Sequence, residues 1–455
     1  MNKKIIYLII IVFLISFVGF WSIISGGYDN QNKVILFLKK VIPANIARKA
    51  RDYIFIIPDL KEKNKFLELQ VKKYEQGYEG QLFKTETIKS KNENNFVSLK
   101  EFFLPFPRLD LRLGWDGVTN SKRAHYLELV DENVFVISGL GETIFFKKKN
   151  IFTKKLKQKK IKNNIKEILD DNNAELIGIR DLFYEDQYLY ISLLFRNNNG
   201  VTINIYRAKA NTQDLIFETF FKINEFWQQH NIFTGGRIEK FEKNKILFSV
   251  GFSKEYEKAQ IKESFLGKII SIDKKTRQSE LISYGHRNQQ GLFYFKDQRI
   301  VMNTEHGPKG GDEINFNYLN ESTTHTPNYG WPISSYGKPY PSEEVIFEKK
   351  KWLSKTHKEN GFNEPIKYFT PSIGISELIF LQQDKERDEN KIYLASLRAG
   401  SLYILSLNES LDKVSNLDRI YFNNQRIRDL KYDPENKLFF AIFEFTPSVA
   451  ILKLN

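Results

Sequence analysis

Three stretches of this chain gather side chains that could do chemistry. Gly285-His286-Arg287-Asn288-Gln289-Gln290-Gly291-Leu292 crowds an arginine and three amides into four consecutive positions. Planar donors and acceptors at that density suit a flat, carboxylate-bearing ligand, or else form a polar turn that holds nothing. The second stretch is Thr304-Glu305-His306-Gly307-Pro308-Lys309-Gly310-Gly311-Asp312-Glu313-Ile314-Asn315, followed by Asn328-Tyr329-Gly330-Trp331-Pro332. Its glycines let the backbone turn carbonyls toward a common point, and Asp312 and Glu313 add hard oxygen ligands. Calcium (Ca2+) is the natural occupant of such a loop. The third stretch is dispersed: Pro371-Ser372-Ile373 with Ser376, Ser396-Leu397-Arg398, and Arg426-Ile427-Arg428-Asp429.

In this order, over residues 284 to 455, these motifs resemble the glucose/sorbosone dehydrogenase family. The family's members are six-bladed propellers that bind pyrroloquinoline quinone and calcium and oxidise aldoses outside the cytoplasm. The resemblance implies that Arg287, Asn288, Gln290, His306, Ser372, Arg398, Arg426 and Arg428 contact the cofactor. That is chemically apt, because an ortho-quinone with three carboxylates calls for always-charged, bidentate guanidiniums. Arg398 stands where family members often have lysine. The resemblance also implies that the carbonyls of Gly307 and Pro308 hold the calcium that polarises the quinone, with Glu313 and the Tyr329 carbonyl at a second, structural calcium. His306 stacks or donates near the cofactor, or only shapes its turn.

The N-terminal half matches the family only over Asn133 to Phe146 and Glu175 to Leu194. Oxidation at a sugar's carbon 1 needs a base to take the hydroxyl proton, and the resemblance puts that base in the second segment. With Gly178 aligned to the family's glycine, Leu176 occupies its position. Leucine accepts no proton. Either Asp312, the acceptor assigned here, or another group such as Glu175 or His306 takes its place, or the propeller has lost the reaction.

The elements that must position these residues are strands. From about His125 onward, short apolar runs alternate with Asn, Asp, Gly and Lys turns: Asn133 to Ser138, Glu142 to Phe146, Tyr188 to Phe195, Val201 to Tyr206, Lys245 to Val250, Lys268 to Ile272, Lys391 to Ala395, Ser401 to Ser406 and Val449 to Leu454. Helical periodicity is nearly absent there, which disfavours βαβ folds. So many short strands exceed one sandwich, and radial blades accommodate them. With 38 Phe and 22 Tyr against 13 Pro, the composition suits half-buried strands. The fold class expected is all-β, a propeller over 121–455, six-bladed by the resemblance.

The remainder divides into an N-terminal helix over 1–28 and a partly helical linker over 29–120. Ile5 to Ile24 carries no charge, and twenty helical residues match a bilayer core. An uncleaved signal-anchor is expected, because Ser25-Gly26-Gly27 is a poor cleavage site and the run is long for a signal peptide. Lys3 and Lys4 favour a cytoplasmic N-terminus, while Lys33, Lys39 and Lys40 weigh against it. The family resemblance decides for export: a single pass through the inner membrane with the propeller periplasmic.

Zero cysteines exclude disulfides, thiolate metal sites and a thiol nucleophile. The net charge of +14 is carried in part by ten lysines between Lys147 and Lys166. These lack arginine, glycine and stacking aromatics other than Phe152, so they read as a solvated loop or insertion, and no nucleic-acid partner is expected.

Overall fold

The computed structural model describes residues 80–454, apart from 93–94, 107–121, 123, 229–233, 320–324, 383–388, 424 and 446. Ile5 to Ile24 and the first part of the expected linker, residues 29–79, therefore lie outside the described residues. Among the described residues no helix is long and apolar enough to cross a membrane.

The strands form six sheets, antiparallel except where the short Asp214–Leu215 pairs parallel to Lys159–Asn163, and their innermost members touch in a closed ring. These are His125–Val130 (blade one), Glu175–Glu185 (two), Gly235–Lys240 (three), Gln289–Phe295 (four), Ile375–Leu381 (five) and Ile427–Asp433 (six). Each begins on the same face, hereafter the top, where the turns between the second and third strands of each blade also lie. The expected six-bladed propeller is the fold. The strand runs read from sequence are present with small shifts at their ends: Asn133–Ser138 and Lys245–Val250 are unchanged, and Val201 to Tyr206 extends to Gly200–Lys209.

The ring closes in blade six. Its inner three strands come from the C-terminus, and Phe96–Phe103 adds to Ser448–Leu454 in a register running from Val97 opposite Leu454 to Phe103 opposite Ser448. Gly80–Lys89 and Lys155–Leu156 extend the same sheet. Two strands from the stretch assigned to the linker thus belong to the propeller, which starts near Gly80 and not at 121. The physical reason is the edge: without Phe96–Phe103, the backbone of Ser448–Leu454 would present an unpaired ladder. The alternation that signals this strand runs from Val97 to Lys100 and is broken by the buried Glu101.

Blades pack through apolar wedges. Tyr126, Ile179, Leu182 and Ile191 lie between blades one and two, and Ile392, Leu394, Met302 and Phe316 between four and five. Each such side chain stabilises the fold by about 1.5–3 kcal/mol. The lysine-rich stretch is ordered. Ile151, Leu156 and Ile161 are buried and its lysines point outward along Lys155–Leu156 and Lys159–Asn163, up to helix α1 (Ile165–Asp171). Blade four carries an insertion between its third and fourth strands that includes helix α2 (Glu344–Lys350).

Candidate functional site

The sequence-predicted residues converge on the top face of blades four, five and six. Arg287 and Asn288 immediately precede the innermost strand of blade four, and Gln290 is its second residue. His306 to Gly311 form that blade's turn between Ile300–Glu305 and Asp312–Tyr318, and Arg428 is the second residue of blade six's innermost strand. These side chains form one continuous chain. Arg428 Nη1 donates to Gln290 Oε1 (2.8 Å), Gln290 Nε2 donates to Asn288 Oδ1 (2.9 Å), and Asn288 Nδ2 donates to His306 Nδ1 (3.3 Å). His306 Nε2 then donates to the Ile375 carbonyl of blade five at 2.6 Å. Because a carbonyl only accepts, the His306 proton sits on Nε2 and both ring nitrogens are engaged. Burial, reinforced by Arg428 and Arg287 and opposed by Asp312, pulls the imidazole pKa down to about 4.

Arg287 is 3% exposed. Its backbone N–H donates to Glu305 Oε2 (2.8 Å) and its Nη1 to the His306 carbonyl (2.9 Å). The guanidinium lies over the rings of Phe252 and Trp331, 5.0 and 5.1 Å from their centroids. Burial lowers its pKa.

A carboxylate that sequence reasoning missed organises the other two arginines. Glu444, buried in blade six's turn, accepts from Arg426 Nε at 2.9 Å and from Arg428 Nε at 2.5 Å. Its signal was an acidic residue directly after the wholly apolar strand Leu438–Phe443. Arg398 is exposed on the turn between Asn390–Ser396 and Ser401–Leu407, and its N–H donates to the Ile373 carbonyl at 3.0 Å. Gly374, at φ +65°, permits this approach, since a Cβ there would sit 2.8 Å from Arg398 N. Ser372 Oγ is buried and has no hydrogen-bond partner among the described residues.

Asp312, assigned from sequence as the proton acceptor, is committed elsewhere. Its Oδ2 accepts from the N–H groups of Gly374 (2.7 Å) and Ile375 (3.1 Å), and Oδ1 from that of Gly307 (3.3 Å). It ties the glycine turn of blade four to the first residues of blade five, a positioning role. Leu176 packs against the apolar wedge between blades one and two. Among the other histidines, His125 is buried at the first residue of blade one's innermost strand, and its Nδ1 has no hydrogen-bond partner among the described residues. His230 lies outside the described residues.

Beneath this layer is a second cluster that the sequence did not disclose. Arg237 of blade three contacts Asp181 of blade two (3.0 Å), Asp429 of blade six (2.8 Å) and Glu377 of blade five. All four side chains are buried. Burial, opposed by Arg237, raises Asp181 to about 6. Arg180-Asp181, Gly236-Arg237, Ser376-Glu377 and Arg428-Asp429, which place charged residues in four innermost strands, were the available signal.

The glycine turn can offer carbonyl ligands. A Cβ on Gly307 would lie 2.1 Å from the Gly311 oxygen and 2.4 Å from the Gly310 oxygen, so carbonyls converge where only glycine fits. The Pro308 carbonyl accepts from Tyr340 Oη at 3.4 Å. The second expected calcium position is arranged differently. Tyr329 is buried, stacked on His286 (centroids 4.7 Å), and donates its hydroxyl to the Phe316 carbonyl (2.9 Å). Glu313 Oε1 faces His357 Nε2 at 3.1 Å. Burial opposes charge on His357, and the hydrogen bond and charge of Glu313 outweigh it, raising the imidazole pKa. Among the described residues, no group of three or more His, Asp or Glu side chains could hold a metal ion.

Fold and site together define a six-bladed β-propeller whose top centre presents guanidiniums, amides and a glycine-rich carbonyl turn. Residues 131–445 match the family model described as Glucose / Sorbosone dehydrogenase, and the chain belongs to that family. It is 27% identical over 220 residues to the aldose sugar dehydrogenase YliI of Escherichia coli (strain K12), a match spanning 45% of this chain and 56% of that relative. The fold is similar to the apo soluble aldose sugar dehydrogenase of Escherichia coli (TM-score 0.58, 19% identity, 79% of this chain and 99% of that one). It is also similar to the PQQ-bound aldose sugar dehydrogenase of Streptomyces coelicolor (TM-score 0.52, 16% identity, 79% and 98%).

Tested against a flat tricarboxylate, the donor set fits. Arg287, Arg398, Arg426 and Arg428 supply guanidiniums, and Glu444 engages the last two through Nε. Ser372 Oγ, without a hydrogen-bond partner among the described residues, is a further polar contact to offer.

Proposed function

We propose that this propeller binds pyrroloquinoline quinone at the top centre of blades four to six and oxidises a sugar or related alcohol. The observation that carries the reading is the side-chain chain Arg428–Gln290–Asn288–His306, which joins two blades across the site with Arg287 beside it. When bound, the cofactor supplies a two-electron acceptor. The protein's part is to bind and orient: Arg287, Arg398, Arg426 and Arg428 meet carboxylates, Ser372 donates a hydroxyl, and Asn288, Gln290 and His306 hold the floor rigid. The carbonyls of Gly307 and Pro308 would hold a calcium ion that polarises the quinone. Preorganised dipoles of this kind act strongly because they need no reorientation during reaction.

The same reading places Ile5 to Ile24 in the inner membrane as a single-pass anchor, with the propeller on the periplasmic side, where sugars arrive from outside.

One observation favours a second reading, a non-catalytic propeller binding a glycan or an envelope partner. Asp312 has both oxygens committed to backbone N–H groups, His306 has both nitrogens engaged, and Leu176 is a partly buried apolar side chain packed against the wedge between blades one and two. The test is dye reduction by the chain from residue 79, loaded with pyrroloquinoline quinone and calcium, over a panel of aldoses and alcohols. Turnover supports the dehydrogenase. Saturable cofactor binding without turnover supports the second reading.

A further inference from the structure

The family resemblance assigns Glu313 and the Tyr329 carbonyl to a second, structural calcium, and the residues around them do not fit that ion. Glu313 and His357 are both buried, their side chains 6% and 2% exposed. Glu313 Oε1 lies 3.1 Å from His357 Nε2, and the other oxygen is 3.5 Å from Asn315 Nδ2. On its far side, His357 Nδ1 pairs with Ser334 Oγ at 2.6 Å. The ring of Tyr336 closes over the imidazole at 5.3 Å between centroids.

Gly330, the residue after Tyr329, makes room for this pair. At φ +82° a Cβ there would sit 2.6 Å from His357 Nδ1 and 2.2 Å from Ser334 Oγ. The space beside Tyr329 and Gly330 is therefore filled by an imidazole and a hydroxyl. Calcium takes six to eight oxygen ligands at about 2.3–2.6 Å, and an ion in front of Glu313 Oε1 would have to expel the ring.

We infer that His357 occupies the place of the family's second calcium, so that the blade-four insertion is fastened to Glu313 by a histidine and not by a metal. The replacement acts at long range in sequence, with the partners 44 positions apart. It ties the segment carrying α2 to the third strand of blade four, the strand that begins with Asp312 and Glu313. The inference rests on the family assignment and not on turnover.

Calcium content per chain, measured by elemental analysis after dialysis against micromolar calcium, tests it. The expected count is no more than one ion in the wild type, unchanged in Glu313→Gln. A wild-type count of two that drops to one in Glu313→Gln would overturn the inference. Should that variant not fold, a wild-type count of two overturns it alone. Melting temperature gives an independent readout: His357→Ala should melt several degrees below wild type, with His357→Gln, which keeps a donor toward Glu313, recovering part of the loss. His357→Ala and wild type melting alike would contradict the fastening role. Neither readout involves turnover, so failure of the dehydrogenase reading, seen as absent dye reduction, stays distinguishable.

Discussion

Arg428 of blade six donates to Gln290 of blade four at 2.8 Å, and the same guanidinium holds Glu444 through Nε. One side chain thus serves both the carboxylate of its own blade and the amide floor of the site. Arg428→Met should leave the buried Glu444 with one guanidinium fewer and destabilise the fold by about 1.5–3 kcal/mol, read as a lowered denaturant midpoint. Arg428→Lys should recover less than half, because an ammonium lacks the fork that serves two acceptors at once.

Arg237 carries a parallel burden under three carboxylates. Arg237→Met should cost at least as much as Arg428→Met, since Asp181, Glu377 and Asp429 would face one another with no cation between them. The double variant with Asp429→Asn should be more stable than additivity requires, which a double-mutant cycle in urea measures. Strict additivity would mean the cluster is not coupled.

His125 gives a pH signature. Burial holds its pKa at about 4, below the ordinary 6.5. Between those values the unfolded chain binds a proton that the folded chain refuses, so stability falls as pH drops through the window from 6.5 to 4. The full loss is about 3 kcal/mol. Asp181, raised by burial to about 6, works in the opposite direction, so the readout is the difference between wild type and His125→Gln. That difference should shrink on acidification. A pH-independent difference would show that His125 titrates normally.

A chain beginning at residue 121 should fail to fold cooperatively, and one beginning at 79 should succeed. The shorter chain lacks Phe96–Phe103 and leaves Val449, Ile451 and Leu452 without their sheet neighbour. Loss of the single sharp melting transition, followed by circular dichroism, checks this.

Much of the site was legible because its residues are clustered in sequence and chemically unusual. Arg287, Asn288 and Gln290 fall within four positions, and a run such as Gly307-Pro308-Lys309-Gly310-Gly311 has few uses besides a tight polar turn. Glu444, Arg237 and Asp181 were not legible in the same way. Glu444 stands alone after an apolar strand and meets arginines 16 and 18 residues back in its own blade, while Arg237 and Asp181 find partners only where the ring brings blades far apart in the chain together. The strand Phe96–Phe103 was hidden by Glu101, a charge on the buried side that breaks its alternation, and only the unpaired edge of the last C-terminal strand requires it. His357 was hidden for a similar reason, since it lies 44 positions from Glu313 in the chain.

The central claim, a tricarboxylate cofactor held by this arginine ring, is tested most directly by titrating the chain from residue 79 with pyrroloquinoline quinone in the presence of calcium, followed by calorimetry. Arg398→Ala is the informative variant, because the side chain is exposed and its loss should leave the fold intact. Saturable one-to-one binding, weakened about tenfold or more in Arg398→Ala as expected for a lost charge-assisted contact of about 1.5–3 kcal/mol, is the predicted result. Absence of saturable binding, or an affinity unchanged by removing Arg398, would contradict it.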